Sequence, residues 1–166
     1  MFRELRRKNQ VLPQEETLAI LRRGTSGVLA VLGDEGYPYA VPLSYVYEDG
    51  RLLFHCAREG HKLDAIRGCD KASFCVIDQD RVGPEEFTTL FRSVIAFGRA
   101  RILEGEEERR SALLLLGRRY SPGDEAALGA EVASSLAHVC MVELVIEHLT
   151  GKESKELAKA RRGGAG

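Results

Sequence analysis

The chain has 166 residues, of which 44% are hydrophobic and 30% are charged, and its formal net charge is −1. A chain of this length and composition can bury a core without disulfides or metals, which excludes a disordered protein and a disulfide scaffold. The charge balance also argues against a protein that binds nucleic acid through a bulk positive potential.

The four cysteines, at positions 56, 69, 75 and 140, include no C-x-x-C pair. They fit reduced thiols of a cytoplasmic protein better than a zinc site or a disulfide framework. The basic residues near the start are not followed by an apolar segment, and the longest aliphatic runs have five residues, against about 20 for a membrane span. We expect a soluble, cytoplasmic protein with no membrane partner and no nucleic-acid partner.

Hydrophobic periodicity and turn residues predict the elements of the fold. In chain order they are a short helix after Pro13 that ends at Gly24, strands over Val28 to Leu32, Tyr37 to Tyr47 and Arg51 to Cys56, a helix over Lys62 to Arg67, strands over Ala72 to Ile77 and Phe91 to Leu103, helices over Glu106 to Tyr120 and Asp124 to Ser135, and a strand over Cys140 to Leu149. The first three strands read as a meander.

Six strands with few helices between them cannot form a doubly wound sheet, because parallel strands need a helical crossover at each step. The pattern therefore predicts a mainly β protein, a closed or nearly closed antiparallel barrel with peripheral helices. We expect residues 1–151 to form this single domain and residues 152–166 to form a polar, mobile C-terminal tail.

The strand predicted over Phe91 to Leu103 has an unusual pattern. Its even positions are apolar throughout, whereas its odd positions change from Phe91, Ile95 and Phe97 to arginines. Its first half should therefore be covered on both faces. Either a helix lying on the barrel or a subunit interface would explain this, and periodicity does not separate the two.

Motifs for nucleotide binding, hydrolysis and metal binding are absent. The sequence contains no G-x-G-x-x-G, no G-x-x-x-x-G-K-[ST], no H-E-x-x-H and no nucleophile elbow. The histidines at positions 55, 61, 138 and 148 show no metal-ligand spacing. No metal site is expected.

The segment from His55 to Ile66 places cations at the start of a helix. His61 and Lys62 fall in the first turn after Gly60, where the helix dipole is already positive, so an anion bound there would be stabilising. A phosphate site and a solvated loop whose lysine points into water both fit the spacing.

A second unusual segment is the strand from Gly36 to Tyr45, which carries Pro42 in its middle. Proline cannot donate to a sheet ladder, so it belongs at an edge, at a bulge, or where something other than a strand takes the neighbouring hydrogen bonds. A flat heteroaromatic ligand and a plain edge strand with an aromatic surface remain alternatives.

Together these segments resemble the pyridoxamine 5'-phosphate oxidase-like flavoproteins, and within them the nitroimidazole-resistance branch of FMN-binding proteins. The resemblance covers roughly residues 3 to 155. It is carried by the segments Gly36 to Tyr45, His55 to Ile66, Thr88 to Ala100 and Ile146 to Lys152. It implies a six-stranded antiparallel split β-barrel that forms a homodimer with FMN in clefts at the subunit interface.

The resemblance also implies a set of cofactor-binding residues. They are Val41, Pro42, Leu43, Ser44 and Tyr45 along the isoalloxazine ring, His55 beside it, Cys56, Ala57, Gly60, His61 and Lys62 around the phosphate, and Arg92, Ser93 and Val94 on the long strand. Which subunit supplies each contact is left open. His61 stands where the family has arginine, which makes the phosphate contact depend partly on histidine protonation.

Three of these residues have alternative roles. His55 is the candidate catalytic residue, as a proton donor or a substrate contact, and its alternative role is packing on the cofactor. Cys56 is either a redox thiol or a small buried spacer. Tyr45 either stacks near the ring or fills the core.

The function implied is that of an FMN-dependent oxidoreductase that passes electrons from a reduced nicotinamide to a small acceptor such as a nitroaromatic compound. The chain shows no C-terminal Arg-Leu-x-Pro segment, so oxidation of vitamin B6 is not expected. The alternatives are a non-catalytic flavin-binding or redox-sensing module and a haem-handling member of the same superfamily. The haem alternative requires His138 or His148 as axial ligand.

Overall fold

The computed structural model describes residues 2–85 and 87–163. Its helices are α1 (Gln14–Arg23), α2 (His61–Gly68), α3 (Glu106–Tyr120), α4 (Glu125–Ser135) and α5 (Lys155–Gly163), and its strands are β1 (Ser26–Leu32), β2 (Pro38–Ser44), β3 (Val46–Glu48), β4 (Arg51–Ala57), β5 (Lys71–Gly83), β6 (Thr88–Ile102) and β7 (Val139–Glu153). No helix in these two ranges has the length and apolar content needed to cross a membrane.

The strands form one sheet in the order β2-β1-β5-β6-β7-β4-β3, and every pairing is antiparallel. Within the described residues the two edge strands, β2 and β3, do not pair with each other but are joined through Tyr45. We call this junction the seam. The prediction of a mainly antiparallel split barrel is confirmed, although the sheet has seven strands and is not closed by hydrogen bonds.

The predicted strand from Tyr37 to Tyr47 is divided at the seam, which accounts for the seventh strand. The three-stranded meander is therefore wrong. β2 pairs with β1 at one edge of the sheet, whereas β3 pairs with β4 at the other. The physical reason is that the Tyr45 side chain turns into the core and is fully buried, so the chain changes edges there.

The core lies between the inner face of the sheet and helices α1 and α2. Alternate residues of the strands point inward, for example Leu29, Phe54, Phe74 and Val94, each with no exposed surface. The predicted helix after Pro13 is confirmed as α1, which ends at Gly24. The predicted helix over Lys62 to Arg67 is confirmed as α2, whose buried residues close one end of the barrel.

On β6, the inward even positions are buried as predicted, but the outer face is not covered in its first half. Ile95 is 37% exposed and Phe97 is half-buried. A helix lying over the outer face at Ile95 is therefore excluded as the explanation of the doubly apolar pattern. The subunit interface stays a prediction.

Helices α3 and α4 form a hairpin on the outer face of β4 and β7. A second cluster of buried residues joins them to the sheet: Leu53, Leu103, Ala112, Leu116 and Met141. The helices approach each other closely at Gly117, because a Cβ there would lie 2.3 Å from Leu128 Cδ1. The predicted bounds of α3 agree with the structure, and Asp124 caps α4 by accepting the N–H groups of Ala126 and Ala127.

The segment from residue 152, predicted as a polar tail, contains the end of β7 and helix α5 instead. Residues 164–166 of that tail lie outside the described residues. The order has a physical cause: Glu153 is fully buried and accepts hydrogen bonds from Arg92 at 3.2 Å and from Arg161 of α5 at 2.8 Å. A buried carboxylate needs such partners, and they fasten α5 to the barrel.

Candidate functional site at the start of helix α2

The junction of β4 and α2 forms an open helix N-terminus. Gly60 adopts a φ of 129°, which favours glycine, and the N–H groups of Leu63 and Asp64 both donate to its carbonyl oxygen. The N–H groups of His61 and Lys62 lie in the first turn of α2, and neither has a hydrogen-bond acceptor within the helix. A Cβ built on Gly60 would meet no atom within 4 Å, so there is room for a ligand in front of these amides.

His61 is held by two residues of the β1–β2 hairpin. Its ring stacks on Tyr39 at 4.2 Å between centroids, and its Nε2 lies 3.6 Å from the Oδ2 atom of the exposed Asp34. These contacts orient the imidazole beside the helix start. The Asp34 carboxylate also adds negative charge at the rim of the site.

Lys62 is the cation best placed to hold an anion here. Within the described residues no carboxylate lies within 4.0 Å of its ammonium group, whereas eight of the arginines there form ion pairs with carboxylates. An uncommitted ammonium group next to open helix amides fits a phosphate. The residues present thus fit a phosphate-bearing cofactor.

Cys56 lies beneath this site and is buried opposite Cys140 of β7. Burial, with a smaller contribution from the neighbouring Cys140, raises the pKa of the Cys56 thiol to about 11, although the positive charge of Lys62 acts in the opposite direction. The thiol is therefore protonated near neutral pH. This favours the role of a small buried spacer over that of a redox thiol.

The strand predicted to lie along a flavin ring has two different faces. Pro42 and Ser44 are exposed, whereas Val41 and Leu43 pack against the core. Only the side chains of Pro42 and Ser44 and the backbone of the strand can face a ligand outside the barrel. Pro42 lies on an edge strand, since β2 is at one end of the sheet order and Pro42 pairs with Val28 of β1 there. An edge position fits both alternatives, a flat ligand and a plain edge strand.

Tyr45 fills the core, as one of its two alternatives required. Its hydroxyl donates to Leu21 O at 2.9 Å, and its ring packs edge-on against Phe74 with centroids 5.1 Å apart. Its side chain therefore does not stack on a ligand outside the barrel, and only its backbone lies along the outer edge.

His55 is exposed on the outer face of β4, opposite Met141. Together with Ser44 it lies at the floor of a cleft of about 650 Å³ between β4 and the α3–α4 hairpin. We call this the hairpin cleft. The candidate catalytic residue and one predicted ring contact are thus brought together, as sequence reasoning expected. The cleft above them was not predicted.

The three residues predicted on the long strand, Arg92, Ser93 and Val94, lie on β6. Val94 is fully buried, and Arg92 is paired with Glu153 rather than left available for a ligand. Ser93 is half-buried and lies opposite Ile77 of β5 and Lys152 of β7. Within one chain neither Val94 nor Arg92 offers a free side chain to a ligand.

His148, a candidate haem ligand, lies at a second cleft. This cleft, of about 500 Å³, is bounded by α1, the β3–β4 turn and β7. The His148 ring stacks on Phe2 at 4.6 Å, and its buried Nε2 has no hydrogen-bond partner within the described residues. The other candidate, His138, is exposed. The same residues contain no cluster of three metal-ligating side chains.

The fold is a split β-barrel, and the start of α2, with its open amides and Lys62, lies beside the edge strand β2. The chain belongs to the pyridoxamine 5'-phosphate oxidase family, whose model matches residues 13–153. No curated protein sequence matches the chain significantly.

Solved structures share this fold over most of the chain. One is a candidate 5-nitroimidazole antibiotic resistance protein from Bacteroides thetaiotaomicron, with 20% identity, a TM-score of 0.72 and 86% of each chain covered. An FAD-binding protein from Mesorhizobium loti has 25% identity and a TM-score of 0.60, covering 88% of this chain and 98% of its own. An FAD and haem binding protein from Mycobacterium smegmatis has 23% identity and a TM-score of 0.76, covering 93% and 80%.

Proposed function

We propose that this protein is an FMN-binding oxidoreductase that passes electrons from a reduced nicotinamide to a small acceptor such as a nitroaromatic compound. The observation that carries the proposal is the open start of α2, where Lys62 stands unpaired among the described residues beside the edge strand β2. Membership in the oxidase family supports a flavin there.

The similar structures support the cofactor more strongly than the substrate. The relative from M. loti is described as FAD-binding and the one from B. thetaiotaomicron as a resistance protein for 5-nitroimidazoles. These similar structures therefore support a bound flavin in general. FMN as the particular flavin and a nitroaromatic compound as the acceptor are the more specific parts of the proposal. A bound flavin would supply the electron transfer itself.

The chain's own residues have distinct roles in this proposal. Lys62, the amides of the first turn of α2 and His61 bind the phosphate, while Gly60 leaves room for it. The backbone from Val41 to Tyr45 and the exposed Pro42 orient the ring. His55 is proposed to hold or donate a proton at the floor of the hairpin cleft, because its exposed imidazole lines the cleft next to Ser44 and can contact a ligand there.

We also propose that two copies associate in the cytoplasm through the outer face of the sheet. Val28, Ile77, Ile95 and Val145 are exposed on strands of this face. Apolar surface of this kind marks association sites. The partner's copy of Ser93 could then reach the cofactor. Sedimentation of the wild type should show a dimer that Ile95→Glu dissociates, and a monomeric wild type contradicts the arrangement.

An absorption spectrum tests the cofactor. Added FMN should be retained through gel filtration with bands near ~370 and ~450 nm, and NADH or NADPH without oxygen should bleach them. Bands that persist would favour the non-catalytic or sensing module. Lys62→Ala should weaken FMN binding about 10- to 150-fold, since charge-assisted contacts contribute roughly 1.5–3 kcal/mol. The exposed Lys159 of α5 gives the control Lys159→Ala, and unchanged affinity in Lys62→Ala removes the phosphate site.

A haem-handling protein is the second candidate, favoured by the unpartnered Nε2 of His148 beside the 500 Å³ cleft. The relative from M. smegmatis is described as binding both FAD and haem. Haem titration should give a Soret band that is lost in His148→Ala and kept in His138→Ala. No spectral change on titration excludes this candidate.

A further inference from the structure

The hairpin cleft has the size and shape of a small-molecule site. Its volume of about 650 Å³ lies within the usual range of roughly 300–1,000 Å³ for such sites. One side is the outer face of β4, and the other is the α3–α4 hairpin. A pocket bounded by two rigid elements holds a ligand more precisely than a surface loop does.

The walls of the cleft are mainly apolar. They are formed by Leu113, Leu116, Tyr120, Leu128, Val132 and Val139. Leu116 and Val132 are nearly buried at the base of the hairpin, so the apolar wall continues into the packed core. Such walls contribute binding energy to an apolar ligand and exclude water from it.

The polar residues of the cleft fall into two groups, at the floor and at the rim. Ser44 and His55 lie at the floor, next to the strand proposed to carry the flavin ring. The hydroxyl of Tyr120 is occupied by the backbone of Tyr45, so Tyr120 presents its ring rather than a free hydroxyl. A ligand in the cleft would therefore meet Ser44 and His55 as its polar contacts at the floor.

Apart from His55, the charged side chains that line the cleft are acidic. Asp124 and Glu131 line the cleft, and no lysine or arginine does so among the described residues. Asp124 is engaged as the cap of α4, while the exposed Glu131 carboxylate accepts only from Ser135 Oγ, at 2.8 Å, among the described residues. The rim thus carries negative charge that an anionic ligand would have to approach.

Three arginines of α3 have partners outside the cleft: Arg109, Arg118 and Arg119. Arg118 is paired with Glu125 at 3.0 Å, and Arg119 donates to Arg23 O at 2.6 Å. Arg109 donates to the carbonyl oxygens of Leu136 and Val139. Because no lysine or arginine of the described residues lines the cleft, an anion there would have no cationic side chain in direct contact.

We infer that the hairpin cleft binds the electron acceptor and that it selects small aromatic molecules that are neutral or cationic over those that carry a carboxylate or phosphate. The acceptor role rests on the proposed function and adds the substrate class to it. Phosphorylated vitamin B6 compounds are disfavoured by the same charges.

Three probes of nearly equal shape test the charge selection: 4-nitrobenzyl alcohol, 4-nitrobenzylamine and 4-nitrobenzoate. Binding is measured by equilibrium dialysis on the protein with and without FMN. The alcohol and the amine should bind at least about tenfold more tightly than the benzoate. Equal binding of all three overturns the inference.

Two pairs of variants test the location. Ala127 lines the cleft and Ala133 lies on the exposed side of α4, so Ala127→Trp should weaken probe binding about tenfold while Ala133→Trp leaves it unchanged. Glu131→Lys should shift the preference toward the benzoate. Glu156→Lys on α5 changes the net charge equally and should not.

The outcomes separate this inference from the proposed function. If FMN binds but Ala127→Trp leaves probe binding and nitro reduction unchanged, the cleft inference fails and the flavin proposal stands. If Ala127→Trp abolishes FMN uptake and probes compete with FMN, the cleft belongs to the cofactor and the inference fails. If no flavin binds but the probe pattern holds, the proposed function fails and the selective binding site remains.

Discussion

The hydroxyl of Tyr120 accepts the backbone N–H of Tyr45 at 2.9 Å and lies 2.7 Å from the carbonyl oxygen of the same residue. It also contacts the carbonyl oxygen of Thr25 at the start of β1. One phenol from the last turn of α3 thus occupies the hydrogen-bonding groups that a neighbouring strand would otherwise take at the seam.

Removing this hydroxyl should destabilise the barrel while leaving the ring in place. We expect Tyr120→Phe to lower the free energy of unfolding by ~1–3 kcal/mol, because the N–H of Tyr45 keeps only its longer hydrogen bond, to Thr25 O at 3.4 Å, and the carbonyl oxygen of Tyr45 loses its donor. Urea denaturation of the variant measures this. The control is Tyr37→Phe, whose side chain is 73% exposed, and a loss no larger than the control's contradicts the account of the seam.

The buried Glu153 gives a second prediction. Glu153→Gln leaves Arg161 without a carboxylate and leaves Arg92 only the more distant Glu16 and Asp78, both at 3.9 Å. Breaking a buried ion pair in this way costs ~3–5 kcal/mol. Glu147→Gln removes the exposed partner of Arg99 and should cost no more than about 1 kcal/mol. Thermal unfolding of both variants compares them. Similar melting temperatures would show that Glu153 does not fasten α5.

Two glycines should respond to alanine with opposite signs. A Cβ at Gly98 would lie 1.9 Å from the carbonyl oxygen of Val145, at the bulge between β6 and β7, so Gly98→Ala must displace backbone. We expect a loss of at least ~1–3 kcal/mol. Gly129 lies inside α4 with no atom within 4 Å, and Gly129→Ala should stabilise by ~0.5–1 kcal/mol. Denaturation curves of both variants measure the two changes in stability. A Gly98→Ala protein as stable as the wild type would contradict the register of β6 with β7.

The raised pKa of Cys56 predicts a loss of stability in alkali. The pKa of the thiol is near its ordinary value of 9.0 in the unfolded chain but about 11 in the fold, mainly because of burial. Above pH 9 the unfolded state therefore binds fewer protons, and stability falls as the pH rises toward 11. Urea curves at pH 8 and about pH 10.5 should show a smaller decline in Cys56→Ala than in the wild type. Parallel declines would contradict the burial of this thiol.

Much of the fold follows from local sequence. The bounds of α3 are predictable because three glutamates begin it and two arginines end it, as the helix dipole favours. The seam is not predictable in this way. The alternation of residue types along the predicted strand continues through Tyr45. The hydroxyl that bonds to the backbone where β2 ends belongs to Tyr120, which is 75 positions later in the chain.

The same contrast holds at the candidate site. Lys62 could be found from sequence because cations at a helix start are unfavourable without an anion. Arg92 could not be excluded, because its partner Glu153 is 61 residues away. The contact of Tyr39 with His61 and the cleft below Ala127 arise from packing between distant segments. Neither leaves a periodic signal in the chain.

The position of Pro42 on the edge strand also bears on how this protein avoids aggregation. An edge strand exposes backbone groups to which another chain could add, and β2 carries prolines at both Pro38 and Pro42. Each lacks the N–H that an added strand would need, so a foreign strand cannot extend the sheet along β2 without losing hydrogen bonds. The residues that leave this edge available to a flat ligand thereby deny it to a growing fibril.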